Sequence, residues 1–581
     1  MTLRIALLVV FAGFAGVPGS QLTVAQAQEG PGNRQQTTDN LFQPHEFKAQ
    51  DGTVVAAELG EFQVPENRTK PGSRLIPIRF VRFKSTAAKP GAPIVYLAGG
   101  PGGSGIGAAT TNRFGMFMAL REFGDVIAYD QRGTNLSGAK LTCTEEFVSN
   151  PGKPLDRAGI APMVDAMRRC AERVRAEGVD LTGYNTVESA ADLNDLRAAL
   201  GAPKLVLWGI SYGAHLAIAT LRNHPEAVER VILAGIEGPD DTYKLPSDQQ
   251  SLMEEIARIS PHPDLLGSLN KVMAELEARP KSVSLTHPLN GQTATFVLGK
   301  LDLQLVLADS LFAPENFAGM PDLVHRLERG DWTALGLLAG QRRFGTAPSL
   351  MSVAMDCASG ITAGRRQRIA EEARRTVLGD AINIPFPELC AAFEMPDLGD
   401  AFRAPLRSDV PALLISGTLD GRTRPRQAEE LRMTMPNASH LVLVGAGHSD
   451  PLFLSSPKIL EAMKGFLRGQ PLRERTIVLP PVQFLPLQNV ANVSDEVLQR
   501  YVGTYRIDAK TVRRVVKAGS VLYTIRDGGG APLAIRPRSE REFFYENRAG
   551  GVTFEVDRRG NVTGMKVRQP DGSEDRAKKE Q

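Results

Sequence analysis

The sequence predicts an α/β protein in which helices cover both faces of a mostly parallel sheet, with a small antiparallel β-module at the C-terminal end. Three observations support this prediction. Short apolar runs alternate with helical periodicity up to residue 240 and again over 405–470, which is typical of a buried parallel sheet. Helical periodicity dominates 241–404. Short alternating runs separated by glycine turns follow residue 490.

The central strands are predicted from apolar runs, because strands buried on both faces lose the polar alternation. These runs lie at 93–98, 125–130, 204–208, 231–234, 411–416 and 440–444. Alternation over 75–83 predicts an earlier strand with one buried face. Helices are predicted over 186–200, where apolar residues recur every three or four positions before Gly201, and over 214–223.

These patterns divide the chain into consecutive segments. They are a signal peptide (1–27), a flexible leader (28–50), the first part of an α/β core (51–240), a helical cap (241–404), the second part of the core (405–470), a linker (471–490) and the β-module (491–581). Prolines at 480, 481 and 486 mark the linker. The charged tail from Asp571 to Gln581 is expected to be frayed.

The first residues have the pattern of a secretory signal peptide. Arg4 precedes an apolar run over 5–14, and the small residues Ala25 and Ala27 indicate cleavage near Ala27. The run is short for a bilayer span, which disfavours the alternative of an uncleaved anchor helix. The sequence therefore predicts a secreted or periplasmic protein with no membrane association once the signal is removed.

Charge and cysteine content limit the classes of binding partner and the cellular compartment that the sequence allows. Lys and Arg number 68 against 65 for Asp and Glu, which leaves a formal charge of +3 and predicts no nucleic-acid partner. In an oxidising compartment four cysteines allow three disulfide connectivities, and sequence proximity favours Cys143–Cys170 and Cys357–Cys390. The alternative is four unpaired buried thiols. The sequence has no Cys-x-x-Cys or His/Cys cluster that would suggest a metal site.

A serine nucleophile is predicted from the pentapeptide Gly209-Ile210-Ser211-Tyr212-Gly213, which matches G-x-S-x-G. The pentapeptide alone is common, but here it joins a buried strand to a helix, which is the context that the motif requires. A sharp turn would hold Ser211 at the carboxyl edge of the sheet, and the helix that follows favours developing negative charge. The alternative is a chance match.

The partners of the serine are predicted from chain order and strand position, since the acid and then the base follow the serine in this arrangement. His448 follows the strand over 441–444 in a glycine-rich exit, whereas His440 precedes it. Asp420 follows the strand over 412–416 at the same edge, whereas Asp409 precedes it. The competing interpretations are a surface histidine in a loop and a turn-forming aspartate before glycine.

The oxyanion hole is predicted to use two backbone N–H groups. Tyr212, directly after the nucleophile, supplies one of them. The second is expected near Gly100, in the glycine-rich loop 99–105 that follows an early strand. A phosphate-binding role for that loop is excluded, because it has neither a Gly-Lys-Ser/Thr ending nor a G-x-G-x-x-G pattern that opens a helix after a first strand.

Together these residues resemble a known family. Ala98 to Gly105, Asp130-Gln131-Arg132-Gly133-Thr134, the Ser211 motif, Asp420 and His448 are similar to the α/β-hydrolase-fold prolyl and tripeptidyl aminopeptidases. The resemblance covers about residues 50–470. It implies an α/β-hydrolase fold with a helical cap, and serine exopeptidase chemistry on free peptide N-termini. The sequence departs from the family pattern at Ala98 and Asn135, next to the oxyanion loop.

An aminopeptidase must bind the charged α-amine of its substrate, and a carboxylate that faces the cleft can pair with that charge. Glu237 follows the strand over 231–234 at the catalytic edge and is the candidate, with a solvated turn glutamate as the alternative. The first functional hypothesis is therefore a cofactor-independent serine aminopeptidase acting on peptides. The second is an esterase or amidase on small molecules with the same triad. The third is a non-catalytic binding protein whose working part is the β-module.

Overall fold

The structure is a computed structural model that describes residues 41–580. The predicted signal peptide, its cleavage site and the first part of the leader lie outside the described residues. The elements up to residue 240 are β1 (Phe42–Lys48), β2 (Val54–Pro65), β3 (Leu75–Phe83), β4 (Ile94–Leu97), α1 (Gly105–Thr110), α2 (Phe114–Leu120), β5 (Val126–Tyr129), β6 (Glu146–Val148), α3 (Ala161–Ala176), α4 (Thr186–Ala199), β7 (Leu205–Ser211), α5 (Tyr212–Asn223) and β8 (Val228–Ile236).

A long, mostly helical insertion follows β8 and precedes the next strand of the main sheet. It comprises α6 (Pro246–Ile259), α7 (Leu265–Ala278), β9 (Lys281–Thr286), β10 (Thr293–Leu298), α8 (Lys300–Ser310), α9 (Pro314–Phe317), α10 (Met320–Glu328), α11 (Trp332–Ala339), β11 (Phe344–Thr346), α12 (Leu350–Ser359), α13 (Ala363–Ala373), α14 (Phe386–Ala392) and α15 (Gly399–Arg403). The segment predicted as helical thus also contains the hairpin β9–β10, and its strand β11 pairs with β6 of the core.

The remaining elements complete the core and form the C-terminal module. They are β12 (Ala412–Gly417), α16 (Pro425–Arg432), β13 (Ala438–Val444), α17 (Pro451–Leu454), α18 (Pro457–Leu467), β14 (Thr476–Val478), α19 (Asp495–Arg500), β15 (Gly503–Arg506), β16 (Val512–Ala518), β17 (Val521–Arg526), β18 (Leu533–Pro537), β19 (Glu542–Tyr545), β20 (Gly551–Val556), β21 (Val562–Arg568) and β22 (Glu574–Lys579). Among the helices of residues 41–580, none has the length and apolar character needed to cross a membrane.

The main sheet has the strand order β1-β2-β3-β5-β4-β7-β8-β12-β13-β14. The first three strands are antiparallel, and every pairing from β5 to β14 is parallel. The six apolar runs predicted as central strands are β4, β5, β7, β8, β12 and β13. Residues of the first five are almost all buried, whereas β13 is only partly buried. Helices pack on both faces of such a sheet. The fold is therefore the mostly parallel α/β architecture that the sequence predicts.

Two segments predicted as irregular contribute strands to this sheet. Residues 42–48 form β1 and pair with β2, which corrects the expectation of a flexible leader up to residue 50. Within the predicted linker, β14 pairs in parallel with β13 and extends the sheet. Both corrections have one physical reason, because an edge strand is defined by backbone hydrogen bonds to its neighbour and needs little apolar sequence of its own.

The C-terminal module is a closed barrel of β15 to β22 in sequential order. Its interior is apolar, and Tyr501 at the end of α19 stacks on Phe554 with 4.0 Å between ring centroids. The predicted fraying of the tail is wrong, because β22 pairs with both β21 and β15 and so closes the barrel. Its charged residues flank a single apolar residue, Ala577, which is buried in the barrel core.

A buried ion network joins the helical insertion to the barrel. Arg326 on α10 is 1% exposed and bonds to Asp322 at 3.0 Å, to Asp331 at 3.2 Å and to Glu546 of the barrel. Arg536 of β18 bonds back to Asp331 at 2.8 Å. Every carboxylate of the network therefore has a guanidinium partner, which is the condition under which buried charges are tolerated.

We expect Arg326→Ala to lower the free energy of unfolding by about 3–5 kcal/mol, because it leaves buried carboxylates without their shared cation. Urea unfolding of the full chain measures the change, and Arg559→Ala, at an exposed position of the barrel, is the matched control. A loss below about 1 kcal/mol, the range of an exposed pair, would contradict the structural role assigned to this network.

Candidate active site

The turn between β7 and α5 holds Ser211 in a strained conformation, with φ +57° and ψ −123°. Left-handed φ values are rare for residues with a side chain and occur at functional sites. The flanking glycines make the turn feasible. A Cβ at Gly209 would lie 2.5 Å from the Gly213 carbonyl oxygen, and one at Gly213 would lie 2.0 Å from the Leu97 carbonyl oxygen. The G-x-S-x-G spacing thus follows from close backbone packing.

The glycine-rich loop after β4 passes directly over the serine. A Cβ added at Gly99 would lie 2.9 Å from Ser211 Cβ and 3.6 Å from its Oγ. The neighbouring Gly100 has φ +128°, which favours glycine. Tyr212 is the first residue of α5, so its N–H is one of the donors that an α-helix leaves without an intrahelical partner. The loop and the helix start therefore meet at the serine, where an oxyanion would form.

Asp130, at the end of β5, ties this loop in place. It is fully buried, and it accepts hydrogen bonds from Ser104 Oγ at 2.6 Å, Ile106 N at 3.2 Å and Asn135 Nδ2 at 2.8 Å. Burial raises the pKa of Asp130 to about 6, although these hydrogen bonds act in the opposite direction. The sequence identified Asp130 only as part of a family motif. The available signal was an acid directly after a fully buried strand.

The raised pKa of Asp130 predicts a specific pH dependence of stability. Between its ordinary pKa of 3.8 and about 6 the folded state keeps a proton that the unfolded state releases, so this group makes folding less favourable as the pH rises. We expect the stability lost on Asp130→Asn to be larger at pH 4 than at pH 7, by up to about 3 kcal/mol. Urea unfolding at the two pH values measures it, and equal losses would contradict the prediction.

Asp420 and His448 are joined at the same edge of the sheet. His448 Nδ1 lies 2.8 Å from Asp420 Oδ2, and both side chains are buried. Asp420 also accepts hydrogen bonds from the Thr423 N–H and hydroxyl, each at 2.8 Å. Burial alone would raise the pKa of Asp420, but His448 and the hydrogen bonds from Thr423 lower it below its ordinary value. The carboxylate therefore stays ionised and fixes the orientation of the ring.

The helical insertion also contacts His448. The backbone N–H of His448 donates to the Phe312 carbonyl at 2.9 Å. The Phe312 and His448 rings pack edge to face, with 5.0 Å between their centroids. Because Nδ1 faces Asp420, Nε2 is the nitrogen available for proton exchange.

Ser211 and the His448 imidazole both lie beside the carboxyl end of strand β8. Ser211 pairs in register with Ile236, and a Cβ at the preceding Gly235 would lie 3.0 Å from His448 Cε1. Within residues 41–580 no hydrogen bond joins Ser211 to His448. Such bonds are often long in unliganded enzymes and shorten when substrate binds. The structure thus brings all three predicted side chains to one edge, with the acid–base contact formed.

Glu237, the predicted amine anchor, lies just after β8 but is already paired. Its carboxylate accepts from Lys244 Nζ at 2.7 Å, and that ammonium also donates to the Asp241 carbonyl at 2.7 Å. A second acid, Asp356 on α12, is close to this pair. Its pKa is raised well above the ordinary value by burial and by the negative charge of Glu237, with Lys244 acting against them. Sequence reasoning missed Asp356, because nothing local distinguishes it within its helix.

Helix α12 lies against the nucleophile turn and is fastened there. Tyr212 donates its hydroxyl proton to Met355 Sδ at 3.2 Å, and Ser359 Oγ lies 3.0 Å from Thr186 Oγ1. Disulfide Cys357–Cys390 links α12 to α14, and disulfide Cys143–Cys170 attaches the segment before β6 to α3. The structure thus forms both favoured pairs. The Cys357–Cys390 disulfide places a covalent bond one residue from Asp356.

Two family models match the chain. Residues 92–303 match the model of the alpha/beta hydrolase fold, and residues 377–474 match the model of TAP-like proteins. The first range includes Ser211 and the second includes both Asp420 and His448. The three side chains that meet at the sheet edge are therefore distributed over both matched regions.

Several curated proteins similar to this chain are named as peptidases. Serine protease Hip1 of Mycobacterium tuberculosis is 32% identical over 201 residues, or 32% of this chain and 36% of that protein. The tripeptidyl aminopeptidase of Streptomyces lividans is 30% identical over 198 residues, 31% of this chain and 36% of that protein. The proline iminopeptidase of Xylella fastidiosa is 27% identical over 151 residues, 25% and 33% respectively. The chain spans about a third of the length of the curated relatives it matches.

Proposed function

Because this chain is an α/β-hydrolase related in sequence to the tripeptidyl and proline aminopeptidases, we propose that it is a serine aminopeptidase. The observation that carries the proposal is the strained Ser211 beneath a glycine loop, at the same sheet edge as a hydrogen-bonded Asp420–His448 pair. Backbone strain at the residue that carries the hydroxyl is the expected property of a nucleophile on a sharp turn.

The proposed reaction uses a covalent acyl-enzyme. Ser211 Oγ attacks the scissile carbonyl carbon while its proton passes to His448 Nε2, and Asp420 stabilises the imidazolium that forms. The N–H groups at Gly100 and Tyr212 stabilise the oxyanion. His448 then gives the proton to the departing amine as the C–N bond breaks. Water attacks the ester, its proton passes through His448 to Ser211 Oγ, and the carboxylic acid product leaves.

The proposed amine site lies between Glu237 and Asp356. Lys244 can balance only one of the two acids, so ionising both would leave one net negative charge in a buried setting. Burial, together with the negative charge of Glu237, raises the pKa of Asp356 and opposes that ionisation. A substrate ammonium would supply the missing positive charge, which is why we assign the free N-terminus of a peptide to this place. We further propose that residues 241–404 act as a cap over this site.

The compartment is part of the proposal. The N-terminal pattern with cleavage near Ala27 supports export, and the two disulfides fit an oxidising compartment such as the periplasm or the exterior.

Paired substrates test the aminopeptidase assignment. Initial rates are compared for a peptide amide with a free α-amine and for its N-acetylated form. We expect acetylation to lower kcat/KM at least 100-fold in the wild type, and less than tenfold in Asp356→Asn, with the exposed cap residue Asp400→Asn as the matched control. Equal rates for both wild-type substrates would refute the exopeptidase assignment. A p-nitrophenyl ester hydrolysed much faster than either peptide would favour the esterase.

A further inference from the structure

A cavity whose lining shares no residue with the proposed catalytic site lies where the linker meets the barrel. It has a volume of about 270 Å³. Its lining includes Gln488 from the linker, Asp322 from α10, and three arginines of the barrel, Arg538, Arg548 and Arg568. Apolar side chains, among them Phe544, complete the walls. The cavity is thus small and partly apolar, and three guanidinium groups line it.

The three arginines have no acidic partner. Within residues 41–580 no carboxylate oxygen lies within 4.0 Å of any of their side-chain nitrogens. Arg538 donates to the neutral amide oxygen of Gln488 at 2.8 Å and 3.1 Å, and Arg548 lies over the ring of Tyr545 at 5.2 Å. Arg538 and Arg568 are exposed and Arg548 is half-buried, so all three guanidinium groups are accessible to a ligand that enters the cavity.

The acid in the lining cannot neutralise them. Asp322 accepts from Arg326 at 3.0 Å and from the Gln488 N–H at 2.6 Å. The buried network beneath the cavity contains two arginines and three carboxylates and so carries one net negative charge. Against the three lining arginines this leaves two positive charges unmatched. Asp322 instead fixes the linker residue whose amide orients Arg538.

We propose that this cavity binds a small oxyanion, a carboxylate or phosphate group carried on a short organic body. A planar guanidinium matches the geometry of both groups and can bind them through two parallel hydrogen bonds. Three such forks and a neutral amide can receive the anion, while Phe544 and its neighbours contact the organic part. The site is separate from the proposed peptidase site, so it stands or falls independently of that function.

Anion binding would also hold the barrel and the linker together, because each of them contributes residues to the cavity wall. Arg548 and Arg568 belong to the barrel, whereas Gln488 belongs to the linker, whose Leu485 N–H donates to the Ala318 carbonyl of the insertion at 3.0 Å. A ligand that bridges these walls binds only the folded, docked state and therefore raises the melting temperature Tm by mass action.

Thermal unfolding of the full chain tests the proposal without any substrate. Tm is measured against inorganic phosphate and, separately, succinate, with sodium chloride keeping the ionic strength constant. We expect a saturable rise in Tm with at least one of the two anions. Arg548→Gln and Arg568→Gln should each weaken the apparent affinity at least tenfold, whereas Arg559→Gln, an exposed barrel arginine outside the cavity, should leave it unchanged.

The two probes distinguish the source of the oxyanion. A response to phosphate alone indicates a phosphate ester as the ligand, and a response to succinate alone indicates a carboxylate. The proposal is overturned if neither anion raises Tm beyond the chloride control. It is equally overturned if Arg559→Gln weakens binding as much as the cavity variants do, since the effect would then come from the overall charge of the barrel.

Discussion

Replacing Ser211 by alanine is expected to lower kcat for peptide hydrolysis by about 10⁴- to 10⁶-fold, the loss seen when a serine enzyme loses its nucleophile. The expectation rests on the turn between β7 and α5, where Ser211 has φ +57° beneath Gly99. No other hydroxyl in the described chain shares that position. Residual turnover would come from the oxyanion donors acting on bound water. The measurement is kcat on a free-amine peptide amide, together with covalent labelling by a fluorophosphonate.

Ser455→Ala, at an exposed position after α17, is the matched control and should retain full activity and labelling. Labelling of the wild type that vanishes in Ser211→Ala also addresses the binding-protein hypothesis, since a non-catalytic protein has no activated hydroxyl. A wild type that resists the reagent under these conditions would favour that hypothesis over an enzyme.

Asp420→Asn is expected to lower kcat by about 10³- to 10⁴-fold with little change in KM. The carboxylate accepts the Nδ1 proton of His448 at 2.8 Å, and its lowered pKa keeps it ionised at neutral pH. An asparagine amide can present N–H to the ring and select the tautomer whose Nε2 carries the proton. That tautomer cannot accept the serine proton.

Asp409→Asn supplies the control, because this residue precedes the same strand at the opposite edge of the sheet. Both variants are assayed for kcat, KM and far-UV circular dichroism. Loss of activity in Asp420→Asn with a wild-type spectrum supports the proposed role. Comparable kcat values for the two variants would mean that a different acid orients the imidazole.

The central sheet and the three proposed catalytic residues could be predicted from the sequence because their signals are local. A fully apolar run that ends in a glycine-rich exit defines both a buried strand and the edge at which it ends. Ser211 is the last residue of such a strand, and Asp420 and His448 each follow the end of one within four residues. The positions of three separate strand ends are thus enough to predict that these residues lie at one edge of the sheet.

Other features depend on partners that the sequence does not reveal. The strand at 476–478 is short, and only its pairing with β13 defines it. The charged strand β22 is held by closure of the barrel, which outweighs the polar character of its residues. Asp356 is distinguished by Glu237 and Lys244, which lie more than a hundred positions earlier. Strand pairing and charge interactions between residues that are far apart in the sequence produce no periodic pattern that a sequence can show.

The order of strands in the main sheet has a consequence for biosynthesis. Strand β8 pairs with β12, yet the whole insertion is translated between them. A nascent chain therefore holds the apolar β8 with an open edge until residue 412 and its neighbours have emerged. Open edges of this kind attract other chains, so the period before β12 docks carries the main risk of aggregation. The proposed hydrolytic activity is expected to be absent for the same period, since His448 is translated later still.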